Sequence, residues 1–122
     1  MTIELTQQNY QKEVIESNLP TVIKFYDSHC DVCKLLTPIL ERVSKYYEGK
    51  ANFANCNRLE SSEIARKYGV IVASQIVVAY KDKKLGIFPG AMISAGGAHN
   101  AAKEESVKQK IDKCLETLVA TK

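Results

Sequence analysis

Two cysteines, Cys30 and Cys33, stand two residues apart in the stretch Phe25-Tyr26-Asp27-Ser28-His29-Cys30-Asp31-Val32-Cys33-Lys34. The run Thr21-Val22-Ile23-Lys24-Phe25-Tyr26 before them reads as a buried strand, and a helical pattern begins directly after them. A strand that delivers two thiols to the start of a helix is a chemical arrangement. The amides of a first helical turn are unpaired and carry about half a positive charge. A thiolate placed there is stabilised, and its pKa can fall from about 8.5 into the range of roughly 3.5–7.5. The thiolate is the attacking species in disulfide exchange.

The elements that must position this pair are legible along the chain. Residues 2–5 are expected as a short strand, followed by a helix from a Thr6 cap to about Ser17, with Tyr10, Val14 and Ile15 inward. Asn18-Leu19-Pro20 ends it, and the strand 21–26 follows. The helix after the cysteines carries apolar residues at Val32, Leu35, Leu36, Ile39, Leu40, Val43, Tyr46 and Tyr47, a broad helical face. Pro38 lies inside it and is expected to kink rather than end it, because the pattern continues. Glu48-Gly49-Lys50 stops it, and residues 51–57 read as a third strand. A short helix, Ser61 to Tyr68, closes at Gly69, a residue suited to a left-handed cap. Val70-Ile71-Val72 and Ile76 to Tyr80 are β-branched and nearly continuous, which predicts extended chain and a buried strand. Residues 81–84 form a polar turn and Leu85 to Phe88 a paired edge strand. Residues 94–103 are small and read as a loop; a last helix spans about Glu104 to Val119, with Val107, Ile111, Cys114, Leu115 and Leu118 inward. The order predicts a mixed α/β sheet of four to five strands with helices on both faces, its first half joined by right-handed crossovers.

Composition narrows the functional classes. A chain of 122 residues, with 45% hydrophobic and 25% charged residues, is an ordinary single globular domain, residues 1–122. A net charge of +3, with no Lys/Arg run interleaved with stacking aromatics, argues against a nucleic-acid partner. No segment approaches the length of a membrane span, and the N-terminus lacks a basic region followed by an apolar stretch. A cytoplasmic location is therefore expected unless a leader has been removed. In that compartment a close Cys-x-x-Cys points to catalysis or metal binding rather than to a structural disulfide.

The chain resembles the thioredoxin family. The resemblance rests on Pro20-Thr21-Val22-Ile23-Lys24-Phe25-Tyr26, then on Cys30-Asp31-Val32-Cys33-Lys34, with Pro38 five residues after the second cysteine. It continues through Lys67-Tyr68-Gly69-Val70, the run Ile76 to Lys81, and Gly90-Ala91-Met92-Ile93-Ser94. It implies the thioredoxin fold and dithiol–disulfide exchange. Cys30 would be the nucleophile that forms a mixed disulfide with a partner protein, and Cys33 the resolving thiol that releases the reduced partner. The only redox group implied is the Cys30–Cys33 disulfide itself, with no separate cofactor. The implied partners are proteins bearing disulfides and a reductase that recycles the dithiol.

Departures from the family pattern sit around the pair. His29 stands where the family has tryptophan, and Asp31-Val32 replaces Gly-Pro between the cysteines. Lys24 occupies the position of a buried aspartate that helps deprotonate the second cysteine. The family's cis-proline is replaced by Ser74 or Gln75, so a trans peptide is expected there, with a changed substrate groove formed by Ser74, Gln75 and Gly90. Lys24, His29, Asp31 and Lys34 are the expected modulators. A lysine beneath the motif, or Lys34 beside it, favours the thiolate and hence the reduced form; Asp31 opposes it. His29 either shares protons with Cys30 or sits at an exposed rim, and His99 is expected to be exposed and idle. Cys56 and Cys114 are expected as small buried hydrophobes, and Tyr26, Phe53 and Phe88 as core.

Two other functions fit the same residues. The missing proline, tryptophan and aspartate suit an interaction module with weak redox activity. Less expected is a dimer that pools two thiolates from each chain into a zinc or iron–sulfur site.

Overall fold

In a computed structural model, residues 2–27, 31–71, 74–89 and 100–120 are described, and so are their side chains except at 31–36, 100–104 and 119–120. Cys30, His29, Gly90, His99 and most of the expected loop 94–103 lie outside them, as do the side chains of Asp31, Cys33 and Lys34.

Five strands form one sheet in the order β1-β3-β2-β4-β5, from β1 (Thr2–Leu5), β2 (Thr21–Tyr26), β3 (Asn52–Asn57), β4 (Gln75–Tyr80) and β5 (Lys83–Pro89). β1 and β2 both run parallel to β3, whereas β4 is antiparallel to β2 and β5 to β4. The parallel pairs are joined by segments long enough to cross over; β4 and β5 are joined by two residues, Lys81 and Asp82. Helix α1 (Asp31–Tyr46) follows β2, α2 (Ser62–Lys67) follows β3, and α3 (Asn100–Ala120) packs on β4, β5 and α1.

Strand alternation divides the core in two. On one face Val22, Phe53, Ile76, Val78 and Phe88 meet Ile39, Leu40, Val43 and Tyr47 of α1 and Val107 and Ile111 of α3. On the other, Leu5, Ile23, Phe25, Ala54, Cys56, Val77 and Ala79 meet Val14 and, from α2, Ile64 and Ala65, with Tyr68 beyond its end. The mixed sheet with helices on both faces is the expected architecture.

Several local expectations are corrected. The first helix is a single π-helical turn, Gln11–Ile15. Thr6 and Asn9 cap its approach reciprocally: the Thr6 amide donates to Asn9 Oδ1 at 2.8 Å and the Asn9 amide to Thr6 Oγ1 at 3.3 Å. Its far end is closed by Lys81, whose Nζ donates to the Ile15 and Ser17 carbonyls. That tie takes Lys81 out of a plain polar turn and holds it at φ 54°.

Strand β4 begins at Gln75, one residue before the expected Ile76, whereas Ile71 is 80% exposed instead of buried and Val72 lies outside the described residues. The Gly69 cap at φ 74° ends α2 and lets Val70 turn inward. Strand β5 starts at Lys83, two residues early, because Lys83 and Lys84 pair with Tyr80 and Ala79 before a bulge at Leu85. Tyr46 is 54% exposed: α1 turns it out past the core edge, where Lys108 Nζ lies 4.3 Å from its ring centroid. α3 starts at Asn100, four residues before the expected Glu104, so residues 100–103 are helical. Small residues such as Ala101 and Ala102 carry little periodicity but high helix propensity. Cys114 is only partly buried, its sulfur set against Gly86 of β5.

Candidate active site

The end of β2 fixes the site. Tyr26 is its last residue, and α1 begins at Asp31, which puts the backbone of Cys33 in the first turn of that helix. Two neighbouring segments are tied to the same strand end. The Ser74 amide donates to the Phe25 carbonyl at 2.7 Å, and the Arg58 amide donates to the Tyr26 carbonyl at 2.9 Å. Arg58 Nε also donates to Asp27 Oδ2 at 3.1 Å in a partly buried ion pair. The chain entering the motif is thus clamped from β3 on one side and from the start of β4 on the other.

No cis peptide bond occurs among the described residues, so Ser74–Gln75 is trans, as expected where Gln75 takes the proline's place; the bond into Ser74 comes from Ala73, outside the described residues. The chain turns there by another device: Ser74 takes φ 69°, a left-handed conformation uncommon for a residue with a side chain. Gln75 Oε1 accepts from the Ile71 amide at 3.3 Å, which ties Ile71 to the start of β4. Both Ser74 and Gln75 are half-buried at this end of the sheet.

Lys24 points to the face that carries α1. It is 5% exposed, and its Nζ donates to Thr37 Oγ1 at 2.8 Å. Thr37 lies one helical turn after Cys33. Burial lowers the Lys24 pKa; the carboxylates of Glu4 and Glu41 oppose that shift. Glu4 Oε2 accepts from the Tyr26 hydroxyl at 2.7 Å, and burial followed by that bond pushes the Tyr26 phenol up to about 12. Tyr26 is therefore half-buried at the rim with its hydroxyl engaged, not sealed in the core as expected.

Thr37, Glu4, Glu41 and the Asp27–Arg58 pair escaped the sequence reading. Only Thr37 left a usable signal, its four-residue spacing from Cys33. Glu4 reaches the site through strand register, since β1 pairs Glu4 with Asn55 and β2 pairs Lys24 with that same residue.

The other two cysteines are elsewhere. Cys56 is buried on the opposite face, where desolvation pushes its thiol up to about 12. Cys114 lies far along α3, and burial raises its thiol as well. Among the described residues, no group of three or more His, Cys, Asp or Glu side chains could hold a metal ion, and no helix is long and apolar enough to cross a membrane.

The family model described as Thioredoxin matches residues 1–113. The thioredoxin of Rickettsia bellii is 33% identical over 91 residues, 71% of this chain and 87% of its own length. The thioredoxin of Chlorobaculum thiosulfatiphilum is 35% identical over 95 residues, 75% of this chain and 88% of its own. Thioredoxin 1 of Nostoc is 24% identical over 89 residues, 73% and 83% of the two chains. By fold, by the strand–helix junction and by these matches, this chain belongs to the thioredoxin family of thiol–disulfide oxidoreductases.

Proposed function

We propose that this chain reduces or exchanges disulfides of partner proteins through Cys30 and Cys33. The Cys30 thiolate attacks one sulfur of the partner's disulfide, and the electron pair leaves on the other. Cys33 then attacks Cys30 Sγ, freeing the partner's second thiol and leaving a Cys30–Cys33 disulfide. A separate reductase returns the pair to the dithiol, and no further cofactor takes part. The setting is the cytoplasm.

The observation that carries this reading is the junction itself: β2 ends at Tyr26, and Cys33 falls in the first turn of α1, where unpaired amides favour an anion. His29, Asp31, Lys34 and Lys24 surround the pair in sequence or in space and adjust its charge. Ser74 and Gln75 offer the groove for the partner chain, to which Gly90, next after β5 in sequence, is assigned by the family resemblance. Two exposed apolar residues suit a polypeptide substrate: Ile71 beside the Ser74 turn, and Leu59, 58% exposed, next to Arg58.

Reduction of insulin disulfides driven by dithiothreitol tests the proposal, with Cys30→Ser as control. Turnover well above the control supports it; turnover equal to the control rejects a general disulfide reductase. A second reading, a binding module with weak redox turnover, draws on the same two apolar residues and on the lysine at position 24. Under that reading Cys30→Ser keeps full partner binding and cellular function; loss of both excludes it.

A further inference from the structure

Strand β5 ends the sheet and is paired to β4 on one side. Among the described residues no strand pairs with its other side, so the backbone groups that alternate toward that side have no ladder partner. Edge strands are ordinarily guarded by charge, proline or a bulge. β5 carries these guards at its ends: Lys83, Lys84 and the bulge at Leu85 at one, Pro89 at the other. Between them Gly86, Ile87 and Phe88 run in regular register with Val78, Val77 and Ile76 and bear no charge. Ile87 is exposed on the face opposite α3.

Helix α3 walls this edge on its own face. The Cys114 sulfur lies where a side chain on Gly86 would stand, so helix and strand meet closely there. Outward of that contact is an open groove of about 250 Å³, lined by residues 85–88 of the strand and by Lys110, Lys113, Cys114 and Thr117 of the helix. Its charged lining is two lysines and no carboxylate. Lys110 Nζ lies 5.9 Å from the Phe88 ring centroid, which holds one cation over the strand edge. Among the described residues neither Lys110 nor Lys113 is in an ion pair. Lys84 turns away, its Nζ donating to the Tyr68 carbonyl at 3.3 Å on the other side of the sheet.

We infer that the β5 edge and the α3 groove beside it form a docking site for a short, extended, acidic segment of a partner protein, which pairs with β5 as an added strand. Main-chain bonds along Gly86–Phe88 supply the pairing, and side chains alternate between the two faces. Those on the α3 face meet Lys110 and Lys113, so carboxylates suit them. Those on the other face lie beside Ile87, so apolar residues suit them. The charge selects against a second copy of this chain: edge-to-edge pairing would add the same lysines and another net charge of +3. The guards at both ends keep the paired segment short.

The test is titration of the isotope-labelled full chain with a blocked peptide of alternating glutamate and valine, followed by amide chemical shifts. Shifts are expected at Gly86–Phe88 and along Lys110–Thr117. Lys110→Glu with Lys113→Glu is expected to weaken binding by about fivefold or more, and Lys113→Glu alone by less, each with insulin turnover at the wild-type level. Added salt should weaken the wild-type complex. A peptide with lysine in place of glutamate should give no saturable shift. N-methylation of one alternate set of peptide amides should abolish binding and of the other set leave it, which simple charge attraction would not produce. Should the double variant fail to fold, the exposed Lys113→Glu decides. Equal binding by both N-methylated peptides, unchanged affinity in the deciding variant, saturable binding of the lysine peptide, or shifts confined to Ser74 and Gln75 would each overturn the inference. So would a dimer of the free chain whose β5 amides shift on dilution, since a second copy would then hold the edge. None of these outcomes touches the dithiol reading, which insulin turnover tests separately.

Discussion

Neighbouring positions on the two central strands face opposite sides of the sheet, and the two sides treat charge in opposite ways. Lys24 pairs with Asn55 on the α1 side; one residue along, Phe25 pairs with Cys56 on the other. On the Cys56 side, buried apolar residues surround a thiol whose ionisation is suppressed, with its pKa near 12. On the Lys24 side, a covered ammonium is joined by Thr37, Glu4, Glu41 and Tyr26 at the end of the sheet where α1 begins. Desolvation without a counter-charge suppresses ionisation of the Cys56 thiol, whereas the other side of the sheet carries a covered ammonium and the helix whose first turn holds Cys33.

The largest effect that bears on this contrast is catalytic. Cys30→Ser and Cys33→Ser are each expected to reduce insulin turnover to background, while Cys56→Ala leaves it at the wild-type rate. A strong loss in Cys56→Ala would mean that the apolar face contributes to the chemistry. Next in size are core truncations, one per face. Ile111→Ala and Ile23→Ala each empty a fully buried site and should each cost about 2–5 kcal/mol in denaturant unfolding. A large imbalance between them would show that one layer supplies most of the stability.

A smaller effect concerns close approach. A Cβ on Gly86 would overlap the Cys114 sulfur, so Gly86→Ala is expected to destabilise by about 1–3 kcal/mol. Adding Cys114→Ala should recover much of that loss, and a double-mutant cycle reads the coupling directly.

The last effect is on pH dependence. The Cys56 thiol is raised in the folded state, so the unfolded chain releases its proton first as pH rises. Its contribution to stability is complete below the unfolded value near 9 and is lost as pH climbs through about 12. The buried phenols of Tyr10, Tyr47 and Tyr68 are raised as well and add to the same alkaline loss. Unfolding between pH 9 and 11 should therefore show falling stability, and Cys56→Ala should flatten part of that slope. An unchanged slope in the variant would mean that the thiol titrates normally.

The strands, the helix after the motif and the division into two core layers were legible because each rests on local periodicity. Val22, Val78 and Phe53 alternate with Ile23, Val77 and Ala54, and Ile39, Leu40 and Val43 repeat at helical spacing. Element ends were less legible. Ile71 looks like strand, yet it follows the Gly69 cap, is exposed, and is tied through its amide to the Gln75 side chain. The π-helical turn owes its end to Lys81, more than sixty residues away in sequence.

The amino-acid order by itself determined the family, the position of Cys33 in an early helical turn and the identities of the residues that depart from the family pattern. Those depend on short-range spacing, which a chain carries in any conformation. Only the tertiary structure decided that Lys24 is covered by α1 and bonded to Thr37, that Glu4 reaches the same end through β1, and that Cys114 packs on Gly86. Each depends on strand register and helix docking between distant segments, and the strength of a charge or a thiol depends on the solvent those contacts exclude.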